Sequence, residues 1–230
     1  VMYINYEESV ENIPESILAI PFVASIIPLM WVTNTVMWVK ELDLTFYNSL
    51  HRIRDAYQRL YSHYPLKGNI IPANFIDNKL ETNREALLLF SGGLDANSTY
   101  VRHHDKNPLL FNIQGWYKTP SDKDIAAEAD IRDIGIFAKK EGLDFSYAKS
   151  NFATVVDENL WTKNIRPNFG DSWWHGFQHS MAFISIAIPI AYKHGIKNIY
   201  IASSVPMGEF CMCASHVTTD SEFRYAEIGK

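Results

Sequence analysis

The sequence predicts an α/β protein: an open parallel sheet with helices on both faces, carrying a small N-terminal α/β appendage. Three observations predict it. An apolar run, "ALLLF" at 86–90, halts at Ser91-Gly92-Gly93 and gives way to small polar residues, the pattern of a buried strand turning a glycine corner into a helix. From there strand-like and helix-like stretches alternate, the order that builds a parallel sheet flanked by helices. Hydrophobic residues make up 47% of the 230, enough for a substantial folded core.

In chain order, the uncharged stretch "ILAIPFVASIIPLMWVTNTVMWV" (17–39) is long enough to span a bilayer. Pro21, Pro28 and Thr33-Asn34-Thr35 divide it instead into a buried helix, a turn and a short strand. In "ELDLTFYNSLHRIRDAYQRLYSHYP", Phe46, Leu50, Ile53, Tyr57 and Leu60 recur at three- and four-residue spacing. That spacing gives an amphipathic helix, capped by Asp43 or Thr45 and ended by Pro65 and Gly68. Residues 66–82, with Gly68, Pro72 and several Asn, read as a connector. The expected domains are therefore 1–82, an appendage, and 83–230.

In the second domain, strand 86–90 leads through the corner to a short helix, and "PLLFNIQGW" (108–116) is the next strand. Residues 121–142 form a helix with Ala127, Ile131, Ile134 and Ala138 on its inner face, capped by Ser121 with Asp124 three residues on. "DFSYAKS" (144–150), a long helix from about Trp174 to His194, and "NIYIASS" (198–204) complete the alternation. No internal repeat or low-complexity tract interrupts it.

A formal net charge of -5 with dispersed basic residues gives no electrostatic footprint for nucleic acid or an anionic membrane. The densest basic cluster, His51-Arg52-Ile53-Arg54 with Arg59, falls on a helix surface. The two cysteines, Cys211 and Cys213, are badly spaced for joining, so they read as free thiols and favour a cytoplasmic location. Glu7, Glu8, Glu11 and Glu15 stand where a secretory signal needs basic residues. The chain starts at Val1 and stops at Gly229-Lys230 in mid-pattern, as expected of a piece whose C-terminal end is truncated.

In an open α/β sheet ligands bind beyond the carboxyl ends of the strands, which is where the Ser91–Asp95 corner falls. Glycines admit a ligand close to the backbone, and successive N–H groups backed by a helix N-terminus form an anion site. Ser91, Ser98 and Thr99 add hydroxyl donors, so the expected guest is a phosphate or pyrophosphate. Asp95 would repel it unless a divalent cation, Mg2+ by chemistry, is shared between carboxylate and phosphates. The alternative is that Asp95 merely caps the helix. A Walker loop and a dinucleotide fingerprint are both excluded by the spacing.

The residues "SGGLD" after an apolar strand resemble the PP-loop signature SGGxDS of the ATP pyrophosphatases, the adenine nucleotide alpha hydrolase-like proteins related to asparagine synthetase and 7-cyano-7-deazaguanine synthase. The resemblance covers roughly residues 83–205. It implies a PP-loop, HUP-type nucleotide-binding domain in which Ser91, Gly92, Gly93, Leu94, Asp95 and Ala96 hold the pyrophosphate end of ATP, with Asp95 on Mg2+. It also implies adenosine across the sheet towards Asn112, Gln114 and Gly115, and Ser203 and Ser204 facing the α-phosphate. The implied reaction is attack of a substrate carbonyl or carboxylate oxygen on the α-phosphate, releasing pyrophosphate, after which an amine, ammonia or sulfur nucleophile displaces AMP. Ala96 departs from the signature's final serine, and Ser98 or Thr99 would replace its hydroxyl if the helix began late.

"RPNFGDSWWHGFQHSMAF" (166–183) gathers Asp171, Trp173, Trp174, His175, Gly176 and His179 at a loop entering a helix. His175 is the candidate catalytic histidine in a pocket wall; His175 and His179, four residues apart, would share a helical face. With Cys211, Cys213 or His216 they could instead form a zinc site, although the usual C-x-x-C spacing is absent. Arg166 and Lys163 are candidate phosphate contacts. In 203–225, Asp220, Glu222 and Arg224 could bind an amino or carboxylate group of the acceptor. The expected function is thus an ATP pyrophosphatase and adenylate-forming ligase with a small-molecule or peptide acceptor, a homodimer being an open option. The alternatives are a nucleotide-binding module without turnover and, against the acidic balance, nucleobase or tRNA modification.

Overall fold

The computed structural model describes residues 1–115, 123–203 and 212–228. In chain order the elements are β1 (Ile4–Tyr6), α1 (Glu15–Leu18), α2 (Ile20–Thr33), β2 (Val36–Asp43), α3 (Leu44–Leu60), β3 (Asn69–Ile76), β4 (Lys79–Leu80) and β5 (Arg84–Leu89). There follow α4 (Leu94–His103), β6 (Leu109–Gln114), α5 (Lys123–Glu141), β7 (Phe145–Ser150), α6 (Glu158–Phe169), α7 (His179–Lys193), β8 (Ile196–Tyr200), α8 (Val217–Asp220) and β9 (Glu227–Ile228). Among the described residues no helix is long and apolar enough to cross a membrane.

The principal sheet has the order β1-β7-β6-β5-β8. β5 to β8 are mutually parallel, and β1 joins antiparallel at the edge, pairing Ile4 with Ser150 and Tyr6 with Ala148. Helices cover both faces. On one, α7 packs Ala182, Ile186 and Ile190 over Leu87, Leu109, Phe111 and Ile113. On the other, Ala96 of α4 and Ile134 and Ala138 of α5 pack over Leu88, Phe90 and Leu110. The period of two along β5 and β6 sends neighbouring residues to opposite cores.

Several boundaries differ from the sequence expectation. Residues 66–82 hold two strands: β3 pairs in parallel with β2 in a separate two-stranded sheet, Val39 opposite Pro72. Pro72 signals a connector in the sequence, yet an edge strand tolerates proline because it needs no ladder N–H on its free side. Gly68 lets the chain enter β3, since a Cβ there would lie 1.8 Å from the Met30 carbonyl oxygen. α6 was not expected, and β8 ends at Tyr200 rather than at 204. The proposed Ser121 cap lies outside the described residues.

The N-terminal stretch divides as the prolines suggest, with α2 closed by Asn34 in the left-handed conformation at φ 54°. Asp43 caps α3 by accepting from the Phe46 N–H at 2.7 Å. It also accepts from the Ala226 N–H and the Asn78 amide, each at 3.0 Å, which ties α3 to the β3–β4 turn and the C-terminal segment. Ile17, Ile27, Phe46 and Tyr57 share one core with Ile165, Phe169, Phe177 and Met181. Residues 1–82 are therefore packed against α6 and α7, and through β1 they extend the principal sheet.

Candidate functional site

β5 carries Ala86, Leu87 and Leu88 fully into the core and delivers the chain, past buried Phe90, to the exposed corner Ser91–Asp95. Gly92 has φ +76°, a conformation that costs a side-chain-bearing residue, and Gly93 occupies the N-cap of α4. The Asn97 amide donates to the carbonyls of Gly92 at 2.7 Å and Gly93 at 3.0 Å, and the Gly93 N–H donates to Ser91 Oγ at 3.3 Å. The corner is thereby braced through its carbonyls. Among the described residues no side chain caps α4, so the first-turn N–H groups of Leu94, Asp95 and Ala96 keep the positive end of the helix available to an anion. Asp95 stands in the first turn rather than at the cap, which removes the simple capping role as its explanation.

Ala96, which stands where the resembled signature has serine, is buried. Its side chain is 4% exposed and sits with Phe90 and Ile134 in the core on the α5 side. The helix does not begin late: Ser98 and Thr99 fall in its second turn, and the Thr99 hydroxyl donates to the Asp95 carbonyl at 2.9 Å. The expected replacement of the missing hydroxyl from Thr99 is therefore corrected, because that donor serves the helix.

Beyond the corner lies a cavity of about 530 Å³. It opens where the order of the parallel strands reverses: β5 connects through α4 to β6 on one side, while β8 lies on its other side. Ser91, Gly93, Leu94, Asp95 and Ala96 border it, as do Asn112 from β6, Asp130 from α5 and Ile201 and Ala202 just past β8. A second hollow of about 280 Å³ adjoins Ser91, Gly92, Asn97 and Asp130 on the α5 side.

Of the expected nucleoside contacts, Asn112 borders the main cavity and donates to the Phe90 carbonyl at 2.9 Å. Gln114 is buried and donates to Asn112 Oδ1 at 2.6 Å and to Asp130 at 3.3 Å, while its own carbonyl oxygen lacks a partner among the described residues. Gly115, at φ +114°, lets the chain pass close to β7, since a Cβ there would lie 1.5 Å from the Ser150 carbonyl oxygen; it is not among the residues that border the two hollows. Ser203 is exposed beyond β8; Ser204 lies outside the described residues.

A π-helical turn over Trp174–Gln178 precedes α7. Of the two histidines, His179 and not His175 borders the cavity, so the candidate histidine changes. His175 is exposed, its Nδ1 against the Asp171 carboxylate, and it does not border the cavity. His179 borders it, with Trp174 and Phe183. Burial, aided by the His175 charge, lowers the His179 pKa to about 4, so the ring is neutral at physiological pH. Its Nδ1 is sealed from solvent with no hydrogen-bond partner among the described residues.

The other candidates are held elsewhere. His216 caps α8 by accepting from the Thr218 N–H at 3.2 Å, and Cys213 is buried. Among the described residues no three His, Cys, Asp or Glu side chains are placed to hold a metal; Cys211 lies outside them. Lys163 and Arg166 are exposed on α6, away from both hollows. Asp220, the last residue of α8, is half-buried, and desolvation of its carboxyl raises its pKa to about 7 against the hydroxyls of Ser180, Ser215 and Thr219. Glu222 pairs with Arg52 at 3.1 Å and Arg224 donates to neighbouring carbonyls, so this trio braces the C-terminal segment and does not border the cavity. Asp130 and Phe183 were missed in the sequence: one is an acid among several on a charged helix, the other an aromatic in an apolar run.

Comparison with protein-family models, with curated proteins and with solved structures returns no match.

Proposed function

We propose that this protein binds ATP at the glycine corner and adenylates a carbonyl or carboxylate oxygen of an acceptor, releasing pyrophosphate. One observation carries the reading: a helix N-terminus with no side-chain cap among the described residues, preceded by two glycines, borders an open cavity at the reversal point of a parallel sheet. Main-chain N–H groups fixed before the reaction stabilise charge developing on a leaving pyrophosphate without reorganising. The resemblance of "SGGLD" to the PP-loop signature supports the same assignment.

The side chains fit Mg2+ as the companion ion. Asp95 and Asp130 offer carboxylate oxygens at the border of the cavity, the ligand type this ion takes with polyphosphate. When bound, Mg2+ would neutralise the charge between phosphates and leaving group. Asp95 is the residue we assign to hold it. The buried methyl of Ala96, in place of a hydroxyl, favours a second reading in which nucleotide is held without turnover.

The test uses ATP labelled at the α-phosphate, with Mg2+ and a panel of carboxylic acids and amides. Labelled AMP, with pyrophosphate released, is the expected result. ADP as product would refute the assignment, and tight binding without any product would select the second reading.

A further inference from the structure

We infer that the α7 side of the main cavity is a chamber for an uncharged, flat aromatic ring belonging to the acceptor, with His179 as its hydrogen-bonding partner. The inference rests on the proposed adenylation for the word acceptor, while the chamber itself rests on the geometry.

Residues of β6 alternate between the two faces of the sheet. Asn112 and Gln114 project to the α5 side, where they bond to the Phe90 carbonyl and to Asp130, and Asn112 and Asp130 form that edge of the larger cavity. Phe111 and Ile113 project to the α7 side and form the floor of the larger cavity, whose walls are Trp174, His179 and Phe183. The corner lies between these compartments, since Ser91 borders both. A nucleotide base directed along the Asn112–Gln114 side leaves the aromatic chamber to a second molecule.

The wall chemistry selects its occupant. Trp174 meets His179 edge-on with ring centroids 5.4 Å apart, and Phe183 meets both rings edge-on at 5.8 and 5.2 Å. Edge-to-face aromatic walls over an apolar floor favour a flat ring. Phe111, Ile113, Trp174 and Phe183 offer a charged group no opposing charge for its lost hydration, and of the carboxylates that border the same cavity, Asp95 and Asp130, Asp95 is assigned to Mg2+. The imidazole and the Trp174 indole N–H are the polar groups of these walls, and of the two only the imidazole can accept. Held neutral by burial, it is suited to a hydrogen bond with an uncharged amide or acid and unsuited to an ion pair.

Benzamide is the probe, with benzamidine as cation, cyclohexanecarboxamide as non-planar control and adenosine as the competing base. Binding is read by NMR from the His179 ring and Trp174 indole signals of the intact chain, and the Gly92 and Gly93 amides are followed separately with Mg2+-ATP. We expect benzamide to shift His179 and Trp174 at millimolar concentration, with benzamidine and cyclohexanecarboxamide at least fivefold weaker. Phe183→Leu should weaken benzamide at least fivefold. His179→Phe should do the same, and His179→Gln, which keeps a hydrogen-bonding group, should restore binding to within about twofold. Absence of benzamide shifts in the wild type, or adenosine displacing benzamide from His179, overturns the inference. Failure of Mg2+-ATP to shift Gly92 and Gly93 while benzamide still binds would remove the nucleotide reading and leave the chamber standing.

Discussion

Acidification should destabilise the protein through His179 by an amount that the structure sets. Burial holds the folded-state pKa near 4 against an ordinary 6.5, so the unfolded chain takes up a proton that the native ring refuses. For a base with a depressed folded pKa, stability is complete above 6.5 and falls as pH drops towards 4. The full gap corresponds to roughly 3 kcal/mol, of which about 2 kcal/mol is expressed between about pH 8 and pH 5. Asp220 acts with the opposite sign, because its raised pKa of about 7 adds stability as the pH falls below that value. The wild-type curve alone therefore mixes two terms. The difference between wild type and His179→Gln isolates one of them, since Asp220 is common to both proteins. Urea unfolding at the two pH values should show wild type losing about 2 kcal/mol more than the variant on acidification. A difference that does not change with pH would refute the buried, neutral His179 on which the acceptor chamber depends.

Removing Asp43 should be among the most destabilising single changes at a carboxylate. Asp43→Ala strands the Phe46 and Ala226 N–H groups and the Asn78 amide, and urea unfolding should report a loss of about 3 kcal/mol. Asp95→Asn should behave in the opposite manner: the side chain is exposed, so stability should stay within about 0.5 kcal/mol while AMP formation is abolished. Gly92→Ala, forced to φ +76°, should cost about 1 kcal/mol in the same unfolding assay even though no atom of the described residues crowds its Cβ closer than 3.9 Å.

The elements with strong periodicity were legible. α3 is the clearest case: its apolar stripe and the Asp43 cap both appear where the spacing puts them, because a single helix face is decided locally. The glycine corner was legible for the same reason, being a strand end, a positive φ and a helix start within a few residues. What escaped the sequence depends on contacts distant along the chain. Pro72 conceals β3 because only the pairing with β2 shows that it stands at an edge. The partnership of 1–82 with α6 and α7 has no local signal, and neither does β1 crossing to pair with β7. In the site, a helical spacing of four grouped His175 with His179, yet one is exposed against Asp171 and the other borders the cavity, a difference that spacing does not report. Asp95 could be named from its motif, whereas Asp130 reaches the cavity only because α5 packs over β6.

The account rests on the main-chain N–H groups at the start of α4 receiving the phosphates of ATP. Backbone amide NMR of Gly92, Gly93, Leu94, Asp95 and Ala96 during titration with Mg2+-ATP tests this most directly. The account predicts saturable shifts concentrated on those five amides, reproduced by Mg2+-pyrophosphate and lost with adenosine. Shifts centred elsewhere, or unchanged amides at saturating nucleotide, would contradict it.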